Sequence, residues 1–187
     1  MKGVTMAINL QELRAAVQNY LDTSVKVSIS NITPKSGTQL NPNEEFTFSV
    51  TADNSIAGPN AIQLINVRYH VKLNPIGVAK LLAPNSPATA ATVVKAFNNP
   101  QGTGTPFVLN QSVDEMYVFF SGLTFDQANV LSPGDTDTIG LKGRAGSAPG
   151  GGATNIQVRI LADPDLAHLF PKEQDTPTIS KPLNVVG

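Results

Sequence analysis

The sequence predicts an all-β fold, an antiparallel β-sandwich of seven to eight short strands preceded by one short helix. Three observations predict it. Apolar and polar residues alternate with a period of two in several segments after residue 24. Fifteen glycines and fourteen prolines supply turns between these segments. Helical and strand patterns do not alternate along the chain, which argues against a parallel sheet with crossover helices.

The composition excludes several classes of protein. The chain has 187 residues, of which 41% are hydrophobic, so one large domain with a buried core is expected. The formal net charge of −1 lacks the basic excess that binding to nucleic acid requires. Without cysteine there are no disulfides, thiolate metal sites or cysteine nucleophiles. No apolar run is long enough for a membrane span or an export signal, so we expect no membrane partner, unless a leader has been removed.

Residues 9–21 have the pattern of a helix, with Asn9 as the predicted N-cap. Apolar residues recur at spacings of three and four and form one stripe: Leu10, Leu13, Val17 and Tyr20. The stripe has two interpretations. It can pack against the chain's own sandwich, or it can belong to an arm that reaches a neighbouring subunit. In the second case these four residues are the predicted oligomer or partner contacts, residues 1–23 form the arm, and residues 24–187 form the sandwich.

The first half of the predicted sandwich holds three strands. Residues 25–29 alternate, and residues 44–51 give the clearest core strand, with Phe46, Phe48 and Val50 on one face. A longer strand covers about 61–73. There Ile62 and Leu64 fall on the opposite face from the later apolar residues, and this change of phase predicts a β-bulge near residues 64–66.

The second half begins with a predicted insertion at about 74–112, in which residues 85–97 fit either a helix or a strand. Residues 116–123 are apolar on both faces, which indicates a central strand. Residues 132–135 read Ser-Pro-Gly-Asp and predict a turn. Three further strands are predicted at about 136–142, 156–160 and 177–186, with a glycine-rich hairpin tip at 146–153.

Two stretches resemble a known family of modules. Residues 41–54, NPNEEFTFSVTADN, resemble the strand that opens bacterial immunoglobulin-like domains. Residues 131–135, LSPGD, and 152–165, GATNIQVRILADPD, are similar to late strands of the same family. The resemblance is strongest to the cell-adhesion-related domain found in bacteria. It implies an immunoglobulin-like sandwich over about residues 24–187, and its motifs carry no catalytic role.

The side chains that could carry chemistry are few. His70 and His168 lack a metal-ligand spacing, and His70 is expected on the polar side of its strand. No Gly-x-Ser-x-Gly motif occurs. Two pairs of aspartates, Asp135 with Asp137 and Asp163 with Asp165, could bind calcium, but each offers two carboxylates, and turn chemistry explains them better. We therefore predict no catalytic residue, no metal site, no cofactor and no enzymatic activity.

Two functions fit these features. The first is a structural protein of a virion assembled in the host cytoplasm, such as a cement or decoration subunit of a phage capsid. The second is an adhesion or carbohydrate-binding module at a bacterial cell surface or outside the cell, although the absence of tryptophan leaves little to stack on sugars. In either case the predicted partners are protein subunits: copies of the chain itself, as a homo-oligomer with a trimer favoured, and a capsid or surface-layer protein.

Overall fold

A computed structural model describes residues 9–33, 39–54, 56, 58–82, 105–109, 113–121, 130–147, 151–164 and 174–186. Within these ranges the chain forms one helix and eleven strands. They are α1 (Leu10–Thr23), β1 (Lys26–Ile29), β2 (Gln39–Leu40), β3 (Glu45–Asn54), β4 (Leu64–Asn74), β5 (Ala79–Leu82), β6 (Thr105–Leu109), β7 (Glu115–Ser121), β8 (Asp135–Ala145), β9 (Gly152–Pro164), β10 (Gln174–Asp175) and β11 (Ile179–Val185).

The strands form two sheets, which confirms the predicted immunoglobulin-like sandwich. The smaller sheet has the order β1-β3-β8-β5. The larger sheet has the order β2-β11-β9-β4-β7-β6, and β10 pairs with β9. All described pairings are antiparallel except that of β2 with β11, which is parallel. Strand β7 lies between β4 and β6, as its two apolar faces predict.

The core lies between the two sheets, and the predicted inward faces are confirmed. Phe46, Phe48 and Val50 of β3 are all buried, while Thr47 between them is exposed. The facing layer comes from the larger sheet, where the inward residues of β4, β9 and β11 alternate with polar ones. The alternation of apolar and polar residues along these strands is what allowed their inward faces to be predicted from the sequence.

A β-bulge interrupts β4, as the change of phase predicts. The register between β4 and β9 shifts between Ile65 and Arg68, and Asn66 has a φ of 52°. Leu64 and Val67 are both buried although they lie three positions apart, an odd spacing that regular alternation would place on opposite faces. Asparagine tolerates this left-handed backbone better than most residues, so the extra residue is accommodated here.

Helix α1 packs on the chain's own sandwich along its second half. Asn9 is confirmed as the N-cap, because its side chain accepts the N–H groups of Gln11 and Glu12. Val17 and Tyr20 are buried within the chain, so these two of the four predicted contact residues do not lie on the surface. Leu10 is 44% exposed, and Leu13 is half-buried. A contact with another subunit through Leu10 and Leu13, and the domain boundary at residue 23, stay predictions.

The described part of the structure has eleven strands where the sequence predicted seven to eight, and the difference has a physical reason. Strands β2 and β10 have two residues each, too few for any alternation to be visible. Strands β5 and β6 come from the predicted insertion and pair with β8 and β7. Residues 83–104, which include the ambiguous segment 85–97, lie outside the described residues, as do 148–150 of the glycine-rich tip. In the described part of the chain, no helix has the length and apolar character needed to cross a bilayer.

Candidate functional site

The outer face of the larger sheet carries a cluster of charged and polar side chains centred on His70. In β4, His70 pairs in register with Tyr117 of β7 and Arg159 of β9. Since residues directly opposite each other in a sheet share a face, all three side chains project from the same surface. The His70 ring stacks on the Tyr117 ring, with centroids 4.4 Å apart and planes 12° apart. Its side chain is only 10% exposed.

Both ring nitrogens of His70 are engaged. The Nε of Arg159 donates to Nδ1 of His70 at 2.9 Å, and Nε2 lies 2.5 Å from Oε1 of Glu115. Because a guanidinium can only donate, Nδ1 must be the acceptor. Nε2 therefore carries the hydrogen and donates it to the Glu115 carboxylate. The two contacts fix one neutral tautomer and one orientation of the ring.

The hydrogen-bonded chain continues to the edge of the sheet. Nη1 of Arg159 donates to Oδ2 of Asp175 in β10 at 2.6 Å. The side-chain amide of Gln18 in α1 donates to the backbone oxygen of Asp175 at 2.8 Å. Side chains from β7, β4, β9 and β10 are thus linked in series, and helix α1 binds the backbone of the last residue, Asp175. Such a series holds Arg159 in place before any ligand binds.

A small cavity opens beside this chain. Its volume is about 180 Å³. The lining consists of His70, Lys72, Gln157, Val158, Arg159 and Thr178. No hydrogen bond or ion pair joins Lys72, Gln157 or Thr178 to another side chain in the part of the chain that the structure describes. The side chains of these three residues are therefore available to a ligand.

The sequence placed His70 on the polar side of its strand, and it does lie on the outer face. The sequence did not identify Glu115, Arg159 or Asp175 as its neighbours. Alternation in β4 and β9 shows that His70 and Arg159 each point away from the core, but not that the two strands are adjacent. The predicted contact residues Leu10 and Leu13 do not line the cavity.

A second polar group lies between the sheets. Tyr69 and Asp137 are both buried, and burial together with the Asp137 carboxylate raises the pKa of Tyr69 well above its ordinary value. The sequence suggested a turn residue or a calcium ligand at Asp137, but this residue lies within β8 and faces the core.

Among the described residues, no group of three or more His, Asp or Glu side chains could hold a metal ion. The side chain of Asp163 and all of Asp165 lie outside the described residues.

No family model and no curated sequence matches the chain. Solved structures do share its fold. The major pilin SpaD from Corynebacterium diphtheriae is 14% identical with a TM-score of 0.54, over 83% of this chain and 34% of the pilin. AvmM, described as catalysing macrocyclization in alchivemycin A biosynthesis, is 8% identical with a TM-score of 0.52, over 89% of this chain and 90% of AvmM. This chain thus spans about a third of the pilin, and at these identities the likeness shows a shared sandwich fold alone.

Proposed function

We propose that the chain is a non-enzymatic structural protein that binds other protein subunits in a larger surface assembly. The arrangement around His70 carries the proposal. A general base needs a ring nitrogen within hydrogen-bond reach of its substrate. In His70 one nitrogen is bound to Arg159 and the other to Glu115, so neither is available to take a proton from a ligand in the cavity. This arrangement supports a role in binding rather than in general acid–base catalysis.

The finer proposal is a virion structural protein, such as a cement or decoration subunit of a phage capsid. Two features support it. Charged residues are only 14% of the chain, which suits surfaces that are covered in an assembly. Helix α1 also begins with an exposed Leu10 beyond the part that packs on the sandwich. Copies of the chain and a capsid protein are the partners in this proposal, with a trimer as the expected oligomer.

A subunit or module of a bacterial cell surface is the second candidate. The observation that favours it is the sandwich fold shared with a domain of the major pilin SpaD. The same fold also occurs in AvmM, which is described as a catalyst, so the fold does not decide between binding and catalysis.

Two measurements test the proposal. Light scattering on the purified full chain should give the mass of an oligomer, and a monomer at every concentration would contradict self-assembly. An antibody against the chain, used for gold labelling, should mark either purified virions or the surface of intact cells. Label on virions alone supports the first candidate, and label on cells alone supports the second. Label on neither would overturn the proposal of a surface assembly.

A further inference from the structure

The cavity beside His70 is lined by cationic and neutral side chains. Its lining includes Lys72 and Arg159 and no aspartate or glutamate. The two acidic members of the cluster, Glu115 and Asp175, bind His70 and Arg159 but are not part of the lining. The lining itself therefore presents two cationic side chains and no acidic one, with Arg159 paired to Asp175 and Lys72 opposite Glu115 in the register of β4 and β7. Such a lining favours an anion.

The hydrogen-bonding capacity of the lining also favours an anion. A guanidinium has five N–H donors. Arg159 uses one on His70 and one on Asp175, so three remain. The Lys72 ammonium and the Thr178 hydroxyl add further donors, while His70 offers no acceptor because Nδ1 is already bound. An excess of donors over acceptors suits a ligand whose contacting atoms are acceptors only, as in a carboxylate or a phosphate.

The size of the cavity limits the ligand. Pockets for small molecules and cofactors usually measure about 300 to 1,000 Å³. At about 180 Å³ the cavity is below that range and fits one side chain or one inorganic anion. Arg159 is held from two sides, so little conformational entropy is lost when a carboxylate binds its remaining donors.

We infer that the cavity receives the carboxylate of an acidic side chain from a partner protein. The inference rests on the proposed function, because that function supplies a protein partner. Lys72 and Arg159 pair with the two carboxylate oxygens, and Gln157 and Thr178 at the rim bind the backbone that carries the acidic residue. The larger sheet is then the face that meets the neighbouring subunit.

The experiment is a titration of the ¹⁵N-labelled full chain, followed by NMR, with two blocked tripeptides. The probe is acetyl-Ala-Glu-Ala-amide, and acetyl-Ala-Gln-Ala-amide is its neutral match. The glutamate peptide should shift the resonances of Arg159 Nε and the Gln157 amide saturably, and the glutamine peptide should not. Lys72→Gln should weaken binding about tenfold, since one charge-assisted contact is lost. Lys80→Gln is the matched control, because Lys80 is an exposed lysine on the other sheet.

Equal shifts with both peptides, or equal weakening by Lys72→Gln and Lys80→Gln, would overturn the inference. Inorganic phosphate that shifts the same resonances at lower concentration than the glutamate peptide would also overturn it, in favour of a phosphate site. The amide spectrum of Lys72→Gln outside the cavity shows whether the variant is folded. Light scattering on the same samples separates the assignment of the cavity from the proposal of self-assembly. An oligomer without peptide binding refutes only the assignment of the cavity, whereas peptide binding by a monomer refutes only self-assembly.

Discussion

The hydroxyl of Tyr20 in α1 donates a 2.5 Å hydrogen bond to Oδ1 of Asn54, the last residue of β3. Both side chains are buried. The Asn54 amide nitrogen donates in turn to the backbone oxygens of Ile62 and Leu131, at 3.0 and 3.1 Å. One buried amide thus joins the helix to the segments that lead into β4 and β8. Because every polar atom of this side chain has a partner, its burial is stabilising rather than costly.

Tyr20→Phe should lower the free energy of unfolding by about 1–3 kcal/mol. The phenylalanine keeps the ring in place but leaves Oδ1 of Asn54 buried without a donor. Chemical denaturation followed by circular dichroism measures the change. Tyr117→Phe is the control, because the Tyr117 hydroxyl has no hydrogen bond within the described residues, and it should change stability little. Equal stability of Tyr20→Phe and the parent chain would show that the bond contributes nothing.

The two halves of α1 should respond differently to truncation. Leu21→Ala should cost about 2–5 kcal/mol, since Leu21 is 1% exposed and belongs to the core. Leu10→Ala should change stability by less than about 0.5 kcal/mol, because Leu10 is largely exposed. Deletion of residues 1–22 should therefore destabilise the sandwich. The interpretation of residues 1–23 as an arm implied that the sandwich would survive this deletion, because the sequence did not show that Leu21 joins the core.

Measured together, thermal unfolding and light scattering separate the two roles of the helix. A Leu10→Ala variant with unchanged stability and a smaller oligomer would support a contact between subunits at Leu10. An unchanged oligomer would remove that contact from the proposal. A folded, fully stable chain after deletion of residues 1–22 would contradict the packing of Val17, Tyr20 and Leu21 against the sandwich.

The sequence predicted the strands and their inward faces because both are local properties. Phe46, Phe48 and Val50 are separated by polar residues, so their common face can be inferred without knowledge of the neighbouring strands. The bulge near Asn66 was also predictable, since it shifts the alternation within one strand. In each case the deciding information lies within about ten residues.

The candidate site was not predictable, because it depends on contacts between residues that are distant in the sequence. His70 and Arg159 are 89 residues apart in sequence, and their contact depends on β4 lying beside β9. Alternation does not encode the order of strands in a sheet. The bond between Tyr20 and Asn54 likewise depends on where α1 docks, which its apolar stripe alone left open.

Gly143→Ala should destabilise the chain by about 1–3 kcal/mol, because the added methyl group would overpack the core there. Gly143 in β8 pairs with Phe46 in β3, and a Cβ at this position would overlap the Phe46 ring. Phe46→Leu should relieve part of the clash, so the double variant should lose less stability than the two single changes add up to. Denaturant melts of the four chains measure this coupling. Strict additivity would show that the ring moves aside without cost.

The stability of the chain should fall as the pH rises above about 10, because of Tyr69. Its hydroxyl is buried beside Asp137, and burial, with a smaller effect of that carboxylate, raises its pKa in the folded state well above the ordinary value of 10.0. Below pH 10 the tyrosine is protonated in both states, so it adds no pH dependence. Above that pH the unfolded chain loses this proton while the folded chain retains it. Ionisation then favours the unfolded state, and the free energy of unfolding decreases with pH.

Tyr69→Phe removes this ionisation and should flatten the decrease between about pH 10 and 11.5. Denaturant melts of both chains at pH 8 and at several values in that interval provide the measurement. Tyr117→Phe is the matched control, because Tyr117 lies on the outer face of the larger sheet rather than between the sheets, and its variant should keep the decrease. If Tyr69→Phe and the parent chain lose stability in parallel as the pH rises, Tyr69 is not the group responsible.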